Sequence, residues 1–297
     1  MSRRRTPARW LVWSAVIAAV LELTARHLLS GPFPCLTPSV DPELVFALRP
    51  GVFHADGYLE RLPMTRYEIA ADGCQHRGGD PALLALGSSH GFGLAVSQDE
   101  AFPEVLRRDL AARGHDLRGT RNCSVPGHTL LPQLRRAELA LGDRAHPLVV
   151  VLVAQNHLRR AQDWSALAPR GSVARWFVAH VRLVRLAHLL RLQHTFESRP
   201  SPFESPARLR AGLVRFAEAA RARRAVAVLG VLGRAEHPSF DLTAEATRAG
   251  LTVVPLGATP RGAVWTLDGE HWSARGHREM ASRWLGGVDA ALGGSAR

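Results

Sequence analysis

The chain has 297 residues and 38 basic side chains against 26 acidic ones, a net charge of +12. With 46% hydrophobic and 22% charged residues it is neither disordered nor collagen-like, and its length suits one large domain plus an extension. The charge would ordinarily suggest nucleic acid or anionic lipid, but there is no lysine, and only two isoleucines and two asparagines are present. Such a skew marks a composition-wide bias towards arginine and alanine, so no nucleic-acid partner is expected.

Arg3, Arg4, Arg5 and Arg9 precede an unbroken run of apolar and small residues from Trp10 to Leu21. As a helix this run rises about 18 Å, short of the roughly 30 Å hydrocarbon core of a bilayer. Continued to Leu29 it would span, with Glu22, Arg26 and His27 near the far end. Residues 1–30 are therefore expected to be a transmembrane signal-anchor, with the basic flank cytoplasmic and the rest exported. A cleaved signal peptide shares the layout, although no small-x-small site follows Leu21; a helix docked on a soluble domain is the third reading.

Residues 31–80 are rich in Pro and Gly, and the short apolar stretches Leu44–Leu48 and Tyr67–Ala70 read as a small β-rich extension or linker. Cys35, Cys74 and Cys123 show neither C-x-x-C nor zinc spacing. A Cys35–Cys74 disulfide and unpaired thiols both remain open.

From Pro81 the texture changes. Ala82–Leu86, Leu148–Val153, Val226–Leu232 and Leu251–Leu256 read as buried strands. Helical patterns lie at Asp99–Arg113, Leu130–Leu141, Pro206–Arg223 and Ser273–Leu292. This alternation predicts an α/β domain over 81–297, a parallel sheet layered between helices, with chemistry at the carboxyl ends of the strands. An insertion at 158–206 holds a helical pattern, Ala174–Gln193, that is either a basic amphipathic lid or an ordinary helix with a solvated arginine face. Trp164 and Trp272 either line a pocket or fill the core.

Four clusters follow apolar runs or open helices. Leu86-Gly87-Ser88-Ser89-His90-Gly91 sets a serine on a glycine-rich turn, where a nucleophile would be exposed. Asn122 to Thr129 is a turn whose backbone N–H groups could face an anion or simply cap the next helix. Ala154-Gln155-Asn156-His157 places an amide after a strand, where it could donate to an oxyanion or end the strand. Asp268 and His271 are spaced so that the carboxylate can hold Nδ1–H and leave Nε2 free to accept a serine proton.

In order and content these clusters resemble the SGNH hydrolases, the GDSL-type lipases and esterases, over Pro81 to about Leu292. The basic-apolar start and the Asp41–Leu44 stretch resemble an exported branch of that family. The resemblance implies a three-layer, flavodoxin-like fold and puts the nucleophile on Ser89, the base on His271 and the acid on Asp268. The oxyanion hole falls on Ser89, Gly127 and Asn156. Three positions depart from the family pattern: Ser88 and His157 stand where it carries aspartates, and Ala154 where it carries glycine. His90 has no assigned role and reads as a turn residue.

The expectation is thus a membrane-anchored serine esterase acting on a small acyl ester, with O-acylated envelope glycan as a substrate by family analogy. The same residues would serve an O-acyltransferase to a sugar hydroxyl, and the altered blocks leave room for a non-catalytic binding protein. No metal or nucleotide motif appears, so no cofactor is expected.

Overall fold

The computed structural model describes residues 7–28, 35–56, 64–80, 82–143, 146–160, 202–233, 237–259, 262, 264 and 271–293. Trp164 and the helical pattern Ala174–Gln193 lie outside them. The chain divides into two units, Met1–Pro32 with Ala166–Pro200, and Phe33–Ser165 with Ser201–Arg297.

The first unit contributes helix α1 (Pro7–Leu28). Trp10, Trp13, Ile17 and Leu23 are each more than half exposed on it. Among the described residues no helix is long and apolar enough to cross a membrane. The expected single-pass span is therefore not met. Arg9 at one end and Glu22, Arg26 and His27 at the other confine the uncharged part of α1 to about the 18 Å run described above.

The second unit opens with two antiparallel pairs, β1 (Leu36–Pro38) with β2 (Phe46–Leu48), and β3 (Gly51–Asp56) with β4 (Met64–Ile69). A six-stranded sheet follows, built from β5 (Gln75–Gly78), β6 (Ala82–Leu86), β7 (Gly119–Asn122), β8 (Leu148–Val153), β9 (Val226–Leu232) and β10 (Thr252–Gly257). Its order is β10-β9-β8-β6-β7-β5. The five strands β6 to β10 run parallel, in the doubly wound order expected of a flavodoxin-like sheet. The sheet is nevertheless mixed, because β5 joins the edge antiparallel to β7. It recruits Gln75–Gly78 from the stretch read as a β-rich extension or linker.

Burial on both faces explains the uninterrupted apolar runs of β6 and β8, in which every residue is buried. Leu84, Leu86, Val149, Val151 and Leu229 point to one side, against α4 (Leu130–Asp143), α5 (Pro206–Ala222) and α6 (Leu242–Arg248). Leu83, Ala85, Leu148, Val150 and Leu152 point to the other, against α3 (Phe102–Ala112) and α7 (Ala274–Ala291). Helix α3, which follows β6, and helix α5, the first described α-helix after β8, thus lie on opposite faces of the sheet. The crevice between those two strand ends is where such a fold binds its ligand.

The disulfide is Cys74–Cys123, and Cys35 is free and buried. Spacing alone could not choose this pair. Antiparallel pairing does, because the Gln75↔Asn122 register carries Cys74 up to Cys123. The bridge closes a loop of 49 residues. Cys74→Ser or Cys123→Ser should cost about 4 kcal/mol by loop entropy, read as a lowered urea midpoint that dithiothreitol reproduces in the unsubstituted protein.

Candidate active site

β6 delivers the chain into Gly87-Ser88-Ser89 and a single helical turn, α2 (Ser89–Phe92), which closes on Gly93 in the left-handed region at φ 80°. Ser89 is the first residue of that turn and is half-buried. The loop after β7 is laced to it. Asn122 Nδ2 donates to the Gly91 carbonyl at 2.9 Å, Val125 N–H to the Gly87 carbonyl at 3.0 Å and Cys123 N–H to the Ala85 carbonyl at 2.8 Å. A Cβ on Gly91 would lie 2.6 Å from Ser124 Oγ, so this approach requires glycine. Asn122, one of the two asparagines in the chain, therefore holds the Ser89 turn against its neighbour. Gly127, at φ 84°, ends this loop in an exposed position.

After β8 a 3-10 turn runs from Gln155 to Leu158 and carries Asn156. His157, on the same turn, is buried and reaches across to β6. Its Nδ1 accepts the Ala154 N–H at 3.0 Å and a hydrogen of Gln133 Nε2 at 3.1 Å, while Nε2 stands 3.1 Å from Ser88 Oγ. With Nδ1 accepting, the ring proton belongs on Nε2, which donates to Ser88. Burial first, and the nearby charge of His90 second, push the His157 pKa from 6.5 down to about 3.

His271 stacks on His90, with ring centroids 5.3 Å apart at 25°, and His90 also packs at 4.6 Å against Trp272. Trp272 is fully buried, so it is core and not pocket lining. Its ring meets His277 edge-on at 5.4 Å.

A cavity of about 520 Å³ opens at the carboxyl ends of the parallel strands. Ser88, Ser89, His90, Gly127 and Thr129 line one side; Ala154 and His157 follow from β8, and Leu232, Gly233, Ala258 and Thr259 close the far side. Ser89 and Gly127 thus share one cavity, Asn156 sits in the chain between two lining residues, and His271 stacks on the residue next to Ser89. Asp268 lies outside the described residues. His90 is no plain turn residue, since it lines the cavity and carries the His271 ring on its face. Only its place beside Ser89 in the chain could have drawn attention to it. Among the described residues no group of three or more His, Cys, Asp or Glu could hold a metal ion.

No family model matches the chain, and no curated protein matches it. Among solved structures it is similar to TesA, at 20% identity and a TM-score of 0.45 over 71% of this chain and 99% of that one. It is also similar to AlinE4, an SGNH-hydrolase family esterase, at 20% identity and a TM-score of 0.37 over 73% and 98%. A third is a catalytic variant of Axe2, an acetylxylan esterase from Geobacillus stearothermophilus, at 14% identity and a TM-score of 0.43 over 71% and 95%.

Proposed function

We propose that the chain is a serine-dependent ester hydrolase with Ser89 as nucleophile, working outside the cytoplasm. The observation that carries this reading is the position of Ser89. It opens the turn after β6, at the carboxyl end of the parallel strands between α3 on one face of the sheet and α5 on the other, and lines the 520 Å³ cavity.

In this reading His271, oriented by Asp268, takes the Ser89 proton as Oγ attacks the ester carbonyl carbon. The oxyanion accepts hydrogen bonds from the Ser89 and Gly127 N–H groups and the Asn156 amide. Collapse expels the alcohol, which receives the proton from His271. A water deprotonated by His271 then attacks the acyl-enzyme and frees the acid. By the family resemblance the substrate class is a small acyl ester, such as acetyl on an envelope glycan. The Cys74–Cys123 disulfide and the basic-apolar amino terminus favour an exported protein, held at the membrane or released from it.

Labelling of the full chain with a fluorophosphonate serine probe tests the reading. Wild-type protein should label, and Ser89→Ala and His271→Ala should not. A folded wild type that stays unlabelled would overturn catalysis and favour a binding protein on this fold. Release of the acyl group to a sugar hydroxyl faster than to water would make the enzyme a transferase. Asn156→Ala should lower kcat by roughly 10²–10³-fold, about 2.7–4 kcal/mol, with KM little changed in steady-state assays.

A further inference from the structure

Two of the departures from the family pattern, 69 residues apart in sequence, meet in space. His157 Nε2 lies 3.1 Å from Ser88 Oγ, and the two residues are only 7% and 6% exposed. We infer that Ser88 and His157 form a neutral positioning couple that ties the nucleophile turn to the Asn156 turn. It replaces two acidic positions with one hydrogen bond. The inference rests on the proposed function for its catalytic consequence, but its geometry stands apart from it.

The ring of His157 is held from both ends. Ala154 N–H and Gln133 Nε2 both donate to Nδ1, and Gln133 is itself fixed by a 3.0 Å bond from its amide to the His128 carbonyl. With the Nδ1 lone pair engaged, the proton stays on Nε2 and points at Ser88. His157 therefore has no lone pair with which to accept a serine proton, and it cannot be a general base for Ser88. What it can do is fix the distance between two strand exits. Ser88 immediately precedes the nucleophile on the β6 side, and His157 immediately follows Asn156 on the β8 side. A neutral donor keeps this tie in place where a lone buried carboxylate, at either position, would have to be paired or protonated.

The test uses the full chain labelled with 15N-histidine. His157 should show the Nε2–H tautomer without titrating from about pH 5 to pH 8. Ser88→Ala should move its Nε2 resonance together with the backbone amides of Ser89 and Asn156. An Nδ1–H tautomer, a ring that titrates in that range, or unmoved amides would overturn the couple. This arm decides the matter even if the wild type neither labels nor turns over, an outcome that would sink only the hydrolase reading.

In the active protein, His157→Leu should lower kcat about tenfold or more, leave KM nearly unchanged and leave the acid limb of the pH–rate curve in place. His157→Gln, which restores an N–H donor, should recover most of the rate. Ser88→Ala combined with His157→Leu should be no worse than the poorer single variant, because both remove one bond. Additive losses, or variants that melt earlier but keep full kcat when folded, would reduce the pair to ordinary packing.

Discussion

Ser89→Ala should leave the fold intact and lower ester turnover by about 10⁴-fold or more, the scale on which loss of a serine nucleophile acts. The side chain is half-buried at the cavity wall, so removing its oxygen opens no core void. The adjacent hydroxyl is not expected to take over. Ser88, the adjacent hydroxyl, is 6% exposed and faces an imidazole nitrogen that already carries its proton. Ser88→Ala should therefore lose far less activity than Ser89→Ala. Hydrolysis of p-nitrophenyl acetate, read beside a thermal melt of each variant, separates the two. If Ser89→Ala kept more than about a hundredth of the wild-type rate, the nucleophile would lie elsewhere.

The second large effect is acid instability, beginning well above the range in which carboxylates protonate. Burial pushes the pKa of His277 from 6.5 to about 3, with the charges of His90 and His271 adding to it, and pushes that of His128 to about 4. His157 behaves like His277. In two of the three the structural reason is plain. His277 Nδ1 accepts the Phe102 N–H at 3.1 Å and His157 Nδ1 accepts the Ala154 N–H, so protonation would break a backbone hydrogen bond inside the core. All three rings are neutral when folded, whereas the unfolded chain takes up protons below pH 6.5. Their contribution is thus fully present above pH 6.5 and is lost as pH falls towards 4 and then 3.

By pH 5 each should cost on the order of 2 kcal/mol, or about 6 together, comparable with the whole stability of a typical domain. The urea midpoint should fall steeply between pH 7.5 and pH 5, and a flat profile would contradict the buried-neutral assignment. His128 Nε2 lies 2.9 Å from the Phe46 carbonyl oxygen. His128→Gln, which keeps a donor there but cannot protonate, should remove about a third of the pH dependence.

Strands β6, β8 and β9 were legible in the sequence, because a parallel strand covered on both faces is an unbroken apolar run; edge strand β10 was legible from its apolar Val253, Val254 and Leu256, although Thr252, Pro255 and Gly257 are exposed. Helices α3, α4, α5 and α7 were legible from their one-sided apolar periodicity. The places where chemistry could gather followed from those runs, and Ser89 and Gly127 do share the cavity that opens beyond them.

Strand β7 was not legible, since Gly119-Thr120-Arg121-Asn122 contains no apolar residue and yet every one of the four is buried. Partners from distant segments make that burial tolerable. Arg121 pairs with Asp72 at 2.9 Å and donates to the Ala140 carbonyl at 3.0 Å, and Thr120 Oγ1 donates to Glu104 at 2.6 Å. Edge strand β5, the Cys74–Cys123 pairing, the stacking of His271 on His90 and the meeting of Ser88 with His157 belong to the same class. Local pattern reports how much apolar surface a segment must bury. Which polar group or thiol meets which is set only when the sheet brings remote strands into register, and in this chain the contact of Ser88 with His157 beside Ser89 is of that second kind.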